Sequence, residues 1–132
     1  MNYIAILKGK KLAATPQRLE IINLLSLHGH LNIDELYKLL VEKFPSLSLA
    51  TIYKNIHIMT EKEFLAEVQI PNKKNVYELI KKAHSHVVCI KCDDILDVEL
   101  DTTALFNAAT QVSHFKLQTS SIVFNGTCPK CA

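Results

Sequence analysis

The sequence has no tryptophan, only three glycines and four prolines, and neither an internal repeat nor a low-complexity segment. It also lacks any apolar run of roughly 18 residues, the length a membrane-spanning helix needs. Residues 3–7 are apolar, but the run is too short for the core of a secretory signal, and its lysines follow rather than precede it. These absences predict a cytoplasmic protein without a membrane span. No acid occurs in residues 1–18, which carry Lys8, Lys10, Lys11 and Arg18. No cysteine stands alone: all four fall into two Cys-x-x-Cys pairs, which in a reducing compartment favour metal over disulfide.

What is present fits one or two small domains. Hydrophobic residues make up 48% of the chain, enough for a core. Modules of roughly 80 and 50 residues would each be marginal alone, and metal or dimerisation would help the smaller one most. The net charge of +2 says little about nucleic acid, but the basic excess sits at the amino-terminal end, where phosphate contacts are expected; the alternative is a solvated basic tail.

The chain opens its regular structure with helices. Thr15-Pro16-Gln17-Arg18 is a helix start, with a capping hydroxyl and a proline at the first helical position. The apolar run Leu19, Ile21, Ile22, Leu24, Leu25 follows, and Gly29 suits a stop. Asn32 and Glu35 carry the signature of a capping box, ahead of Ile33, Leu36, Tyr37, Leu40, Val41 and Phe44 on one helical face; Pro45 ends that helix. A third helix begins near Ser48, with Leu49, Ile52, Ile56 and Met59 as its buried stripe. Ala50, Thr51, Lys54 and His57 lie toward the opposite face, with Tyr53 at the border. A small, polar, basic outer face is what a helix entering the major groove requires, although an ordinary solvated face has the same pattern.

Two short strands, about 65–70 and 75–80, follow around the turn Pro71-Asn72-Lys73-Lys74. Helices followed by a hairpin with lysines at its tip match a winged helix-turn-helix, with Lys73 and Lys74 placed to touch backbone phosphates. The character changes near residues 80–83, although no Gly/Pro-rich linker marks the boundary. Strands are predicted over 86–90 and 95–100, a helix from Asp101 or Thr102 through Ala109, and a long last strand over 114–124. The fold class is therefore α+β, with an amino-terminal winged helix-turn-helix over 1–81 and a small α/β module over 82–132.

Two metal-binding chemistries lie side by side in this second module. Cys89, Cys92, Cys128 and Cys131 form two close thiol pairs, suited to tetrahedral structural zinc; a redox dithiol is the alternative, but no thioredoxin-like βαβ context surrounds either pair. His84 and His86 are two apart, so on a strand they share a face at roughly 6.5 Å spacing. Cys89 has the opposite parity, so the histidines and cysteines are expected to serve different metals. Asp97 lies on the next strand, where Leu96, Val98 and Leu100 alternate as the apolar face. An imidazole–carboxylate set suits iron or manganese better than the thiol set does, though a lone His-x-His is also common on solvated surfaces.

Together these residues resemble the ferric uptake regulator family over nearly the whole chain. The resemblance rests on Thr15-Pro16-Gln17-Arg18, on Leu49-Ala50-Thr51-Ile52-Tyr53-Lys54, on His84-x-His86-x-x-Cys89-x-x-Cys92 and on Cys128-Pro129-Lys130-Cys131. It implies a dimeric, metal-dependent transcriptional regulator, not an enzyme, in which the carboxyl-terminal module is the dimerisation domain. It further implies a regulatory Fe2+ or Mn2+ held by His30, Glu78, His84, His86 and Asp97, with Zn2+ at the cysteines. Operator DNA would be contacted by Thr51, Tyr53 and Lys54 in the groove and by Lys10, Lys11, Arg18, Lys73 and Lys74 on phosphates; family members often have arginine where Lys54 stands.

Within the family, Ala83 and Ser85 replace residues that iron-uptake members carry before the first cysteine pair, and Ser121 falls where an extra site draws a histidine. Aspartate at position 97 is typical of peroxide-responsive repressors; glutamate at 78 is not. The resemblance thus implies a peroxide-responsive repressor in which His30 or His84 is oxidised, with iron or other metal uptake as the alternative. Two further readings stay open: a non-haem iron enzyme, which lacks a substrate-pocket signature here, and a zinc-stabilised interaction module without DNA binding.

Overall fold

A computed structural model describes residues 2–132. The chain divides into two compact units, one ending at Lys81 and the other spanning Lys82–Ala132.

The first unit opens with a helix that sequence pattern alone does not predict, α1 (Tyr3–Gly9). Seven residues are too few to be helical in isolation. Tertiary burial holds it: Leu7 is completely buried, and the Asn2 side chain accepts the Ala5 N–H at 3.2 Å. Helix α2 (Pro16–His28) begins where the Thr15 hydroxyl accepts the Arg18 N–H at 3.3 Å. It stops at Gly29, whose φ of 83° a side chain would strain. A two-residue strand, β1 (Leu31–Asn32), leads into α3 (Ile33–Lys43). The capping box closes in both directions, with Asn32 Oδ1 accepting the Glu35 N–H at 2.8 Å and Glu35 Oε1 accepting the Asn32 N–H at 2.9 Å. Phe44, the residue before Pro45, leaves the helical region at φ −126° and ψ 78°.

Helix α4 (Leu49–Glu61) is capped by Ser48, whose hydroxyl accepts the Thr51 N–H at 3.2 Å. Ile52, Ile56 and Met59 are buried, but Leu49 is 39% exposed. It lies in the first turn, so the buried stripe begins three residues later than the spacing predicts. Strands β2 (Leu65–Val68) and β3 (Val76–Leu79) pair antiparallel with Val68 opposite Val76. β1 joins the far edge of β3, Leu31 opposite Tyr77, so the wing is a three-stranded sheet of order β1-β3-β2. One core, built on residues including Ile22, Leu25, Leu36, Leu40, Ile52 and Leu65, unites helices and sheet. Leu36 is completely buried at its centre. Leu36→Ala is expected to destabilise this unit by about 2–5 kcal/mol, seen as a lower denaturation midpoint of the helical circular-dichroism signal.

In the second unit β4 (Ser85–Cys89) pairs antiparallel with β5 (Ile95–Val98), His86 directly opposite Asp97. Helix α5 (Thr103–Ser113) then returns the chain to β6 (Val123–Gly126), which runs parallel to β4 on its other side. A parallel neighbour needs such a crossover. The long last strand predicted over 114–124 is not formed. The apolar spacing Leu105, Ala108, Val112 carries the helix to Ser113, His114 caps it at φ 58°, and regular structure resumes only at Val123. The polar run Gln118-Thr119-Ser120-Ser121 offers no apolar alternation to bury. The apolar face predicted for β5 is also not covered within one chain: Leu96 is 64% exposed, and no residue of α5 is buried.

Candidate metal centres

The four cysteines come together at one end of the second sheet. Their sulfurs all lie within 4.8 Å of one another. Cys92 Sγ and Cys128 Sγ are 3.8 Å apart, far beyond a disulfide bond and close to the ~3.8 Å edge of a tetrahedron with zinc–sulfur bonds of about 2.3 Å. Backbone geometry builds each half. The Cys89–Cys92 turn closes through Asp93 N–H to the Cys89 carbonyl at 3.0 Å and Cys89 N–H to the Asp94 carbonyl at 2.9 Å; the second turn closes through Cys131 N–H to the Cys128 carbonyl at 3.0 Å. The parallel β4–β6 register sets Cys89 opposite Gly126, two residues before Cys128.

The electrostatics of the thiols fit a cation. Cys89 Sγ accepts the backbone N–H groups of Cys92 at 3.5 Å and Cys128 at 3.4 Å, and these donors bring its thiol down to about 6. The side chain of Cys128 beside Cys131, with burial, pushes Cys131 up to about 12. Cys92 also sits above its ordinary value: the Asp94 backbone N–H lowers it, but the neighbouring Cys89 sulfur and burial outweigh that donor. Four clustered thiols cannot all ionise against one another, and a divalent ion removes that conflict.

A second cluster in the same unit joins the two strand histidines to Asp97. His84 Nε2 and His86 Nε2 are 3.0 Å apart, with ring planes at 70°. Asp97 Oδ1 stands 3.4 Å from His86 Nε2 and 3.7 Å from His84 Nε2. His84 Nδ1 lies 2.8 Å from the Lys82 carbonyl, which can only accept. In a neutral ring the proton therefore belongs on Nδ1, which leaves Nε2, the atom directed at His86 and Asp97, as the one to ligate a metal. His86 is buried, its side chain 7% exposed. His86 stands opposite Asp97 across the ladder, and the sulfur of Cys89 lies among the four thiols.

The first unit carries a matching pair. His30 Nε2 and Glu78 Oε2 are 2.8 Å apart, with side chains 11% and 3% exposed. His30 directly precedes β1 and Glu78 follows Tyr77 on β3, so the β1–β3 pairing, Leu31 opposite Tyr77, brings them together. Sequence pattern has no means to find this contact, because a two-residue strand leaves no periodic signal.

The residues expected to meet DNA fall into two groups. Lys11, Thr51, Tyr53, Lys54 and Lys73 are exposed. Lys10, Arg18 and Lys74 make identified contacts within the unit. Lys10 Nζ donates to the Glu63 carbonyl at 2.8 Å and lies over the Phe64 ring; Lys74 pairs with Asp34 in the first turn of α3; Arg18 bonds Asn55 on α4 and the Ala13 carbonyl.

Comparison with known proteins bears on what these centres serve. The model of the ferric uptake regulator family matches residues 9–131. The peroxide-responsive repressor of Staphylococcus epidermidis is 31% identical over 132 residues, covering 97% of this chain and 87% of its own length. The ferric uptake regulation protein of Neisseria meningitidis is 29% identical over 134 residues, covering 98% and 93%. Among solved structures, the Campylobacter jejuni peroxide stress regulator is similar with a TM-score of 0.73 and 35% identity, covering 99% of this chain and 100% of that one.

Proposed function

Since the chain belongs to the ferric uptake regulator family, whose members are metal-responsive transcriptional regulators, we propose that it is a dimeric, peroxide-responsive repressor of operator DNA. In this reading Cys89, Cys92, Cys128 and Cys131 hold a structural Zn2+. His30, Glu78, His84, His86 and Asp97 are the ligands of a regulatory Fe2+ or Mn2+. Metal occupancy then sets how the two winged helices of a dimer present themselves to a palindromic site.

The observation that carries the peroxide reading is the His84–His86–Asp97 cluster. The short aspartate arm sits opposite His86, and both imidazole Nε2 atoms point toward the same carboxylate oxygen. Ala83 and Ser85 beside the histidines have no ligating side chains for an additional ion. Bound ferrous iron would supply the electron transfer that cleaves the peroxide O–O bond. The chain's part is to hold an imidazole C–H of His30 or His84 next to that chemistry; overall, one peroxide oxygen is inserted at that carbon and the other is released as water. An oxidised ring would be a poorer ligand, so affinity for the metal, and with it affinity for DNA, would fall.

The dimer is supported by the apolar surface of the second unit. Leu96, Leu105, Val112 and Phe115 are each more than half exposed. Leu96 lies on β5, an edge strand of the second sheet. So many large apolar side chains left exposed on a small unit are what a second copy would cover.

Mass spectrometry of the iron-loaded protein after brief peroxide treatment tests the proposal. The expected result is a gain of one oxygen on His30 or His84, with no gain in the manganese-loaded protein. Unmodified histidines alongside DNA affinity that tracks iron concentration would support instead the iron-uptake reading, which the relationship to ferric uptake regulators also favours.

A further inference from the structure

Arg18 is the one basic residue of the Thr15-Pro16-Gln17-Arg18 segment, and two of its five guanidinium donors are committed inside the first unit. Nε donates to Asn55 Oδ1 at 3.1 Å and Nη1 donates to the Ala13 carbonyl at 3.0 Å. A guanidinium grips a phosphate best along one of its two forked edges, Nε with Nη2 or Nη1 with Nη2. Here Nε, a donor of the first edge, is engaged by Asn55, and Nη1 has one of its two N–H groups committed to Ala13. The residue is also half-buried, unlike Lys11 and Lys54.

Its partner is more informative than its charge. Asn55 lies in the middle of α4, one helical turn beyond Thr51 and directly after Tyr53 and Lys54. Thr51, Tyr53 and Lys54 are the exposed residues that α4 offers to a groove. The Arg18 backbone N–H is itself fixed by the Thr15 cap. One side chain therefore ties the segment entering α2, the first turn of α2 and the midpoint of α4. A bond at the midpoint restrains rotation of α4 about its own axis, the motion that would swing Tyr53 and Lys54 out of register with base edges.

We propose that Arg18 is a positioning residue for DNA specificity: acting through Asn55, it fixes the rotation of α4 and so the placement of Thr51, Tyr53 and Lys54, and it does not serve as a phosphate contact. The inference rests on the DNA-binding reading above. A phosphate contact and a positioning bond differ in what their loss does. Losing a phosphate contact weakens all duplexes alike and lowers the slope of log affinity against log salt by about one. Losing a positioning bond weakens only sequence-specific binding and leaves the slope as it was.

The test uses the full-length, manganese-loaded dimer with two probes: the tightest duplex recovered from a random pool by the wild-type protein, and a scrambled duplex of the same composition. Arg18→Gln, Arg18→Lys and Asn55→Ala are each expected to lose about tenfold or more in affinity for the selected duplex. Binding to the scrambled duplex and the salt slope should stay at wild-type values. The double variant Arg18→Gln/Asn55→Ala should lose no more than either single one, since both break the same bond. Equal weakening on both duplexes, a salt slope lower by about one, or full rescue by Arg18→Lys would each overturn the inference. Additive losses in the double variant would overturn it as well. Failure of the wild-type dimer to enrich any duplex would instead overturn the DNA-binding reading itself.

Discussion

On the proposed structural-zinc reading, serine in place of Cys92 or Cys128 is expected to yield a protein without bound zinc, with an unfolded carboxyl-terminal unit and without a dimer. The reason is how little else holds that unit together. Its buried apolar residues among those described are Val88 and Cys89, and Cys89 is itself a ligand. Every residue of α5 keeps some exposure, and β5 shows Leu96 to solvent. A module of roughly 50 residues is marginal even with a normal core. Structural zinc contributes on the order of 10 kcal/mol to the folding of small metal domains, more than this core can replace. Zinc at these thiols would also fasten the turn after β4 to the turn just after β6, the two strands whose parallel pairing leaves no tight turn between them. The expected readouts are zinc content, sedimentation and the loss of strand signal in circular dichroism, with the melting of the first unit retained. A thiol-directed chelator should reproduce the effect and expose all four cysteines to alkylation. A Cys128→Ser protein that stays dimeric with an unchanged melting profile would show that the sheet does not depend on the clasp.

Features written in local chemistry were legible in the sequence, and features written in long-range pairing were not. Thr15, Asn32 and Ser48 all cap the helices they were expected to start, because a capping hydroxyl or amide acts within three residues of its own position. The two Cys-x-x-Cys pairs were legible because a metal-binding turn needs that spacing, and their four sulfurs do converge. Helix α1 was invisible because its stability comes from burying Leu7 and not from its own seven residues. β1 was invisible because two residues carry no period. The last strand was overdrawn because Phe115 and Leu117 gave the segment a strand-like composition, while Phe115 is 69% exposed in one chain. The apolar face of β5 is a like case: Leu96 and Leu100 alternate as expected, and both stand exposed in one chain. Hydrophobic pattern reports that a face is to be buried, not whether the chain itself or a second copy buries it. The partners of Arg18 and Lys10 lay equally out of reach, since Asn55 and the Glu63 carbonyl are distant in sequence.

On the proposed regulatory-metal reading, His86→Ala and Glu78→Gln are expected to weaken metal-dependent DNA binding strongly while leaving the proposed zinc clasp and dimer intact. Removing an outer partner of a metal site commonly costs ten- to a hundredfold in metal affinity, and removing a ligand costs more. Each variant should therefore need manganese at about a hundredfold higher concentration or more before it protects the selected duplex. The two act on different parts of the molecule. His86 sits at the centre of the second unit's cluster, within 3.4 Å of both His84 Nε2 and Asp97 Oδ1. Glu78 sits on β3 of the wing, against His30, which runs straight into β1 and then the capping box of α3. Lys74 at the far end of the hairpin pairs with Asp34 in that same first turn of α3. Metal at His30 and Glu78 would thus tighten the sheet that carries the wing, so Glu78→Gln should loosen wing amides in hydrogen exchange and His86→Ala, in metal-free protein, should not. Asp97→Glu separates binding from sensing. Its added methylene keeps a carboxylate ligand but displaces it from the position opposite His86, and family pattern associates glutamate at this position with iron uptake. Retained manganese-dependent DNA binding, with slower oxygen gain on His30 and His84 in the iron-loaded protein, is the expected outcome. Unchanged oxidation in Asp97→Glu would mean that the carboxylate at position 97 does not decide peroxide sensing, and the choice would pass to Glu78.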